Sequence, residues 1–488
     1  MNDLILVLDE GTTSTRALAF DLAGNIVAQA ARPLTQHFPR PGWVEHDAAE
    51  IWDHSLACLR DVAAEVGEGR IACLGLTNQR ETVVFWDAAT GEPLAPAIVW
   101  QDRRTADACG QLRDGGHEAV VQATTGLLLD PYFSGTKIAW ALAEWPAVKA
   151  AAEAGTLRLG TIDSYLLFRL TEGRVHATDA TNASRTLLMN LGTCAWDDAM
   201  LELLGVPRGP LPAITDCAGA LGTTTLLGHE IAITGSAGDQ HAAAIGQACL
   251  SPGQVKATYG TGCFVLAHAG PETPVSAHRL LATLAWRLDG VASYALEGSI
   301  FTAGAAVQWL RDGLGIIGDS AETEALARSV PDSSGVVFVP ALAGMGAPHW
   351  RPDVRGLLTG LSGGTTRAHV ARAALEAMGH QTADLLAALA SDGVAPERLR
   401  VDGGMVANDW LCQDLADTTG LIVERPRVIE TTALGAAMLA GVGAGLFASL
   451  DEAAAMRQSD RVFEPAISPE DRAARRARWA RAVAQALA

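Results

Sequence analysis

The chain opens on a continuous apolar run at residues 4–8, followed by the polar stretch Asp9-Glu10-Gly11-Thr12-Thr13-Ser14 and a second apolar run at 17–20. A further turn, Asp21-Leu22-Ala23-Gly24-Asn25, leads into residues 26–31. Short apolar runs bounded by turn residues predict two or three short strands joined tightly. The same shape returns near the middle of the chain. Residues 254–258 lead to Tyr259-Gly260-Thr261-Gly262, then to 263–267, a second turn, and later 291–296. Two such units about 250 residues apart predict two halves of related design, residues 1–246 and 247–488, each of domain size.

Long helical patterns follow each unit. Residues 49–66 place Ile51, Trp52, Ser55, Leu56 and Leu59 on one face, and 299–312 and 365–389 also read as helices, the latter opened by capping threonines. Runs at 74–77, 97–100, 231–234, 336–339 and 399–402 predict short buried strands. Strands alternating with helices argue an α/β fold. Residues 431–450 carry no charge and are rich in glycine and alanine, too weakly apolar for a membrane span, so they predict a buried, tightly packed helix. The arginine- and alanine-rich stretch from Ser468 predicts a solvated terminal helix.

Composition narrows the function classes. With 49% hydrophobic and 19% charged residues, 488 residues hold ample material for packed cores. The net charge of −19 repels phosphate backbones and argues against a nucleic-acid-coating role. The only lysines are Lys137, Lys149 and Lys256, so phosphate chemistry here must lean on arginine, backbone amides and metal. No two of the eight cysteines lie closer than Cys249 and Cys263, 14 residues apart, which excludes CxxC pairs and suits a reduced cytoplasm. The first residues lack the basic region of a signal peptide, so a cytoplasmic protein without membrane insertion is expected. A homo-oligomer is compatible with the sequence, which sets no oligomeric state.

Several familiar patterns fail on context. Gly313-Leu314-Gly315-Ile316-Ile317-Gly318 matches GxGxxG but follows a helical pattern rather than a strand. Gly360-Leu361-Ser362-Gly363-Gly364 matches a nucleophile elbow, yet Thr365 or Thr366 is the better start of the next helix. No GxxxxGK[ST] or HExxH spacing occurs.

The turn Asp9-Glu10-Gly11-Thr12-Thr13-Ser14-Thr15-Arg16 carries the strongest chemistry. Gly11 permits close approach of backbone to an anion, and the hydroxyls with the turn amides can cradle phosphate oxygens. Asp9 ends an apolar strand, where a carboxylate needs a cation such as Mg²⁺, and Arg16 supplies fixed positive charge. Taken alone, this turn also reads as a hairpin whose hydroxyls satisfy their own backbone. Tyr259-Gly260-Thr261-Gly262 offers a matching cradle, and two facing cradles suit an ATP clamp.

With these turns stand Pro41-Gly42-Trp43-Val44-Glu45-His46-Asp47, Thr77-Asn78-Gln79-Arg80-Glu81-Thr82 and Trp100-Gln101-Asp102-Arg103-Arg104. Further along come Asp130-Pro131-Tyr132-Phe133-Ser134-Gly135-Thr136-Lys137, Ala237-Gly238-Asp239-Gln240, Leu296-Glu297-Gly298-Ser299-Ile300-Phe301, and Gly356-x-Leu358-x-Gly360-Leu361 followed by His369-Val370-x-x-Ala373-Ala374-Leu375-Glu376. This ordered set, spread from residue 4 to about 446, resembles the FGGY carbohydrate-kinase family, and its phosphate hairpins resemble the wider actin-like, ribonuclease-H-fold ATPases.

The resemblance implies two actin-like α/β domains with the active site in the cleft between them. It implies ATP-dependent phosphorylation of a small polyol, glycerol first, with Mg²⁺ as cofactor and Asp9 as its ligand. Asp239 matches the catalytic base; Arg80, Glu81, Asp239 and Gln240 match the groups that bond the polyol hydroxyls. Trp100, Tyr132 and Phe264 match the aromatics that pack its carbon chain. Thr12, Thr13, Ser14 and Arg16 match the first phosphate loop and Thr261 the second, while Gly304, Gln308, Gly404 and Asn408 match nucleotide contacts. An ordinary carboxylate suffices as base, because phosphoryl transfer through a loose transition state needs orientation more than full deprotonation.

Some positions depart from the family pattern. Glu10 stands where glutamine is common and would add negative charge near the phosphates. His241 follows Asp239-Gln240 in place of a second glutamine. Residues 220–230 lack both the Gly/Arg-rich loop through which some members sense a sugar bisphosphate and the histidine loop through which others are phosphorylated, so neither control is expected. Two rivals stay open: the same chemistry on erythritol, dihydroxyacetone or xylulose, and an actin-like ATPase module without an acceptor.

Overall fold

The computed structural model describes residues 3–351 and 353–488. The first half is built on a six-stranded sheet. Strands β1 (Leu4–Glu10), β2 (Ser14–Asp21) and β3 (Ile26–Pro33) form an antiparallel meander. Helix α1 (Ala48–Val66), capped by Asp47, crosses to β4 (Ile71–Asn78). A long insertion then precedes β5 (Ala218–Thr224), β6 (Ile231–Gly238) and α2 (Asp239–Gly246). The order is β5-β6-β4-β1-β2-β3, with β4 parallel to both β1 and β6. Every residue of β1 is buried, as its unbroken apolar run requires of a central strand covered on both faces.

The second half repeats the plan. β7 (Val255–Tyr259), β8 (Cys263–Gly270), β9 (Leu281–Leu288) and β10 (Val291–Ile300) are antiparallel neighbours in the order β9-β10-β8-β7. Helices α3 (Gly304–Gln308) and α4 (Arg367–Ser391) follow, then β11 (Arg398–Asp402), parallel to β7, and β12 (Ile422–Pro426), parallel to β11. Helix α5 (Thr431–Gly443), the edge strand β13 (Ser459–Phe463) and α6 (Pro469–Leu487) complete the chain. Three antiparallel strands, a crossing helix and two further parallel strands thus occur in both halves, the second adding the antiparallel edge strand β9, which is the duplicated α/β architecture expected.

Helix α5 lies against the first sheet and α2. A Cβ added at Gly435 would stand 1.8 Å from the Ala242 carbonyl oxygen, and one at Gly246 would stand 2.0 Å from that of Thr431. The helices meet backbone to backbone, which explains the uncharged Gly/Ala-rich sequence of α5. Among the described residues no helix is long and apolar enough to cross a membrane. All eight cysteines are buried and unpaired.

Three sequence expectations are corrected. The helix expected over 299–312 begins only at Gly304, because β10 runs on through Ile300, where Ser299 pairs with Phe264. It then widens into a π-helical turn over Trp309–Gly313. The strand expected at 97–100 shrinks to Ala97–Ile98, leaving Trp100 in a loop. The terminal helix α6 is solvated on one face only: Trp479 is 1% exposed, stacks on His380 at 5.2 Å and donates to Asp384 at 2.7 Å. The rejected motifs keep their rejection, since Gly313 follows a helix and Thr366, with His369, forms the capping box of α4.

Candidate active site

The turn expected to form the first phosphate cradle is the β1–β2 hairpin. The Gly11 amide donates to the Ser14 carbonyl at 3.0 Å, leaving Thr12, Thr13 and Ser14 partly or fully exposed along the turn. Side chains alternate across a strand, so Asp9 and Glu10 face opposite sides. Asp9 receives Arg16 at 2.5 Å, and Arg16 also donates to Glu430 at the start of α5. Burial raises the Asp9 carboxyl, against the pull of Arg16. The cation facing Asp9 in the structure is therefore Arg16.

Glu10 points the other way, into the core beneath α1, where Ser55 donates to it at 3.3 Å and its second oxygen has no partner. Burial pushes its carboxyl up to about 8, so it keeps its proton at neutral pH. The added negative charge expected near the phosphates is thus not presented to them, and Glu10 sits there as a neutral group.

The second loop is the β7–β8 turn, where Gly260 donates to the Gly262 carbonyl at 2.9 Å. The start of α3 rests on it: Gly304 donates to Gly260, and Ala303 and Ala305 donate to Thr261, each at 3.0 Å. A Cβ at Gly304 would meet the Gly260 oxygen at 2.6 Å and the Met405 side chain at 3.2 Å. This brings the β11 turn, with Gly403 at φ +89 and open space at Gly404, to the same edge. Gln308 is exposed one helical turn beyond Gly304. Asn408 serves locally, capping helix Asp409–Thr419 by accepting from Leu411 at 3.0 Å and donating to Thr323 at 3.4 Å.

The residues expected on the polyol side lie near one another. Trp100 lies 5.6 Å from Tyr132 and 6.2 Å from Phe264, both edge to face, so Phe264 of β8 closes a cage begun in the first half. Trp100 donates its indole N–H to Thr12 Oγ1 at 2.9 Å, tying the cage to the first phosphate loop. Arg80 and Glu81 follow β4, where Gln79 donates to the Gly11 carbonyl at 2.9 Å. Glu81 is a non-glycine residue at φ 62, held by Ser134, which donates to its carbonyl at 2.9 Å. Such backbone persists only where surroundings over-determine it.

Arg80 is the hub. Its Nε stands 3.2 Å from Asp239 Oδ1, its Nη1 2.5 Å from Glu297, and its Nη2 3.4 Å from the Tyr132 hydroxyl. Arg185 donates to Glu81 at 2.7 Å and to Glu297 at 2.9 Å. Against the cost of burial, Arg185 and Arg80 hold the Glu297 carboxyl down at about 2. Asp239, the first residue of α2, accepts from the Gln240 amide at 2.7 Å. Burial raises its carboxyl above the ordinary aspartate range, opposed by Arg80 and Lys256. Its side chain is 31% exposed while those of Arg80, Glu81 and Glu297 are at most 1%, so Asp239 is the most exposed acid of this cluster. His241 is buried behind it, kept neutral by burial and the neighbouring arginines, and pairs with Thr283 at 3.3 Å.

Sequence reasoning assigned no role to Glu297, Arg185 or Lys256. The available signal was a charge inside β10 and another in β7; the partners of Glu297 and Arg185 lie more than 100 residues away, while those of Lys256 are Gln240 and Thr258.

Two lobes of one plan, a hydroxyl-rich hairpin on each, and an accessible carboxylate beside an aromatic cage define a phosphotransferase-type site. Residues 4–246 match the N-terminal domain, and residues 255–444 the C-terminal domain, of the FGGY family of carbohydrate kinases; the chain belongs to that family. A glycerol kinase of Rhodospirillum rubrum is 54% identical over 484 residues, covering 98% of each chain. One of Alcanivorax borkumensis is 55% identical over 486 residues, covering 99% of this chain and 98% of its own. The crystal structure of Plasmodium falciparum glycerol kinase with ADP shares the fold at a TM-score of 0.93 and 36% identity, covering 99% of this chain and 98% of that one.

Proposed function

We propose that the protein transfers the γ-phosphoryl group of ATP to a terminal hydroxyl of glycerol, giving sn-glycerol 3-phosphate and ADP. The observation that carries this reading is the accessible Asp239 carboxylate at the head of α2, 3.2 Å from buried Arg80 and on the side of the aromatic cage. Asp239 takes the proton of the attacking hydroxyl as the new P–O bond forms and ADP leaves. Arg80, Glu81 and Gln240 orient the hydroxyls by strong directional bonds, and Trp100, Tyr132 and Phe264 cover the carbon chain. The relatives named above, more than half identical along nearly the whole length, support glycerol as acceptor.

In this reading residues 1–246 bear the acceptor, the first phosphate loop and the base, and residues 247–488 bind the nucleotide. Thr12, Thr13, Ser14 and Arg16 hold phosphate oxygens from one side and Thr261 from the other, with Gly304, Gln308, Gly404 and Asn408 along the nucleoside. The loop's donor set, the Asp9 carboxylate and the threonine and serine hydroxyls, is hard oxygen, which fits Mg²⁺ bound mainly through phosphates and water with one carboxylate. Asp9, which pairs with Arg16 in this structure, would hold it, and the ion would supply charge neutralisation to the transferring phosphoryl group. Asp239→Asn tests the base: turnover is lost while ATP binding, followed by calorimetry, stays within about threefold. A variant keeping more than about a tenth of wild-type turnover overturns the assignment.

A further inference from the structure

Lys256 is one of three lysines in the chain, and its side chain is fully buried on β7, the strand that feeds the second phosphate loop. It makes no ion pair at contact distance among the described residues. Its ammonium donates to Gln240 Oε1, across the boundary between the two halves, and to Thr258 Oγ1 at 2.9 Å, two residues along on the same strand face. The third N–H is not engaged by either contact. Gln240 directly follows Asp239 and gives its backbone N–H to the Asp239 carboxylate at 2.7 Å. A buried ammonium held only by neutral oxygens is costly, which is the pattern of a group kept for its effect on a neighbour rather than for stability.

We propose that Lys256 is a positioning residue, which from the second half fixes Gln240 and the first turn of α2, and so sets the orientation and charge state of the Asp239 carboxylate. This rests on the reading of Asp239 as the base. Lys256 ties the strand before the Thr261 loop to the residue beside the base, so the carboxylate is aligned when the two phosphate loops are in register. Its positive charge also favours the carboxylate form. The other charged groups facing this pair are Arg80 on the acceptor side, Glu297 on β10 and Asp402 on β11, with neutral His241 on α2 itself, and Glu81 and Arg185 pair with Arg80 and Glu297 beyond them. Burial lowers the Lys256 ammonium, while Asp402, Asp239 and Glu297 oppose that change.

The test is Lys256→Met, of similar length and no charge, beside Lys256→Arg, in the full-length enzyme with ATP, Mg²⁺ and glycerol. For Lys256→Met we expect kcat to fall by about tenfold or more, KM for ATP to stay within about threefold, and the ligand-free Tm to stay within about 3 °C. The acid limb of its kcat/KM profile moves to higher pH, because Asp239 has lost a cation that favoured its ionised form. Lys256→Arg recovers most of the kcat and returns the acid limb. Unchanged kcat overturns the proposal, as does a loss of kcat accompanied by a fall in Tm with the pH profile unmoved. If Lys256→Met does not fold, Lys256→Gln is read in the same way, and failure of both neutral variants assigns Lys256 to stability and overturns the proposal. Asp239→Asn is measured in parallel: an active Asp239→Asn variant rejects the base itself, whereas an inactive one with an unaffected Lys256→Met rejects only the role of Lys256.

Discussion

Replacing Glu297 by glutamine removes the charge that joins Arg80 and Arg185, and it probes the site and the fold together. Glu297 is fully buried and accepts from Arg80 at 2.5 and 3.1 Å and from Arg185 at 2.9 Å. Its carboxyl moves from the ordinary 4.5 to about 2, which at about 1.4 kcal/mol per pH unit corresponds to about 3 kcal/mol of stability at neutral pH. Removing one partner of a buried ion pair costs about 3–5 kcal/mol by a separate argument, because the remaining charges are left uncompensated. The two figures overlap, and for a lobe of this size they lower Tm by about 6–20 °C. The contribution of a depressed carboxyl is present above its unfolded value of 4.5 and is lost as pH falls toward about 2. Differential scanning calorimetry of wild type and Glu297→Gln should therefore show a gap in Tm at pH 7 that narrows below about pH 4.5. Because Arg80 loses its tether to β10, KM for glycerol rises while KM for ATP holds. A Tm within about 2 °C of wild type at pH 7, or a gap that does not narrow in acid, would refute the reasoning.

Two further outcomes follow from other parts of the structure. Glu10, raised to about 8 from 4.5, keeps a proton in the folded state that the unfolded chain releases. Wild-type stability is then full below pH 4.5 and is lost as pH rises to about 8, at about 1.4 kcal/mol per pH unit, so Glu10→Gln should gain Tm over wild type progressively from pH 5 to pH 8. A Tm difference independent of pH would contradict this. Residues 220–230 lie across the β5–β6 hairpin, and if they carry neither control, as the sequence predicts, fructose 1,6-bisphosphate titrated into the activity assay should leave turnover unchanged; strong inhibition would count against that expectation.

Much of the candidate site is legible in the sequence because its residues sit next to local signals. The Asp9–Arg16 hairpin, the Gly260–Gly262 turn and the Asp239-Gln240 step are short segments whose turn residues and strand ends mark them, and the structure forms each as a tight turn or helix start. The Arg80–Glu297–Arg185 cluster was not legible, since its contacts join residues 217 and 112 apart and depend on how two sheets face one another. Glu10 could not be placed from its charge alone; only the strand's alternation, fixed by the packing of α1, turns it into the core. The false helix start at 299 has a similar cause, because a strand end that pairs with β8 carries the same small apolar residues as a helix N-terminus. The terminal helix was read from its many arginines, but Arg475 and Arg476 pair with Asp414 and Asp384 and so dock the helix on the second lobe.

The central claim is phosphoryl transfer from ATP to glycerol at the cleft between two like lobes. The most direct measurement is ADP release by coupled assay with ATP and Mg²⁺ across glycerol, erythritol, xylitol, xylulose and dihydroxyacetone, beside a control without acceptor. Glycerol well ahead of the others, with little ADP released in the control, is the result predicted. Another polyol in the lead would contradict the assignment of Trp100, Tyr132 and Phe264 as a glycerol cage, and equal ADP release with and without acceptor would contradict the kinase reading itself.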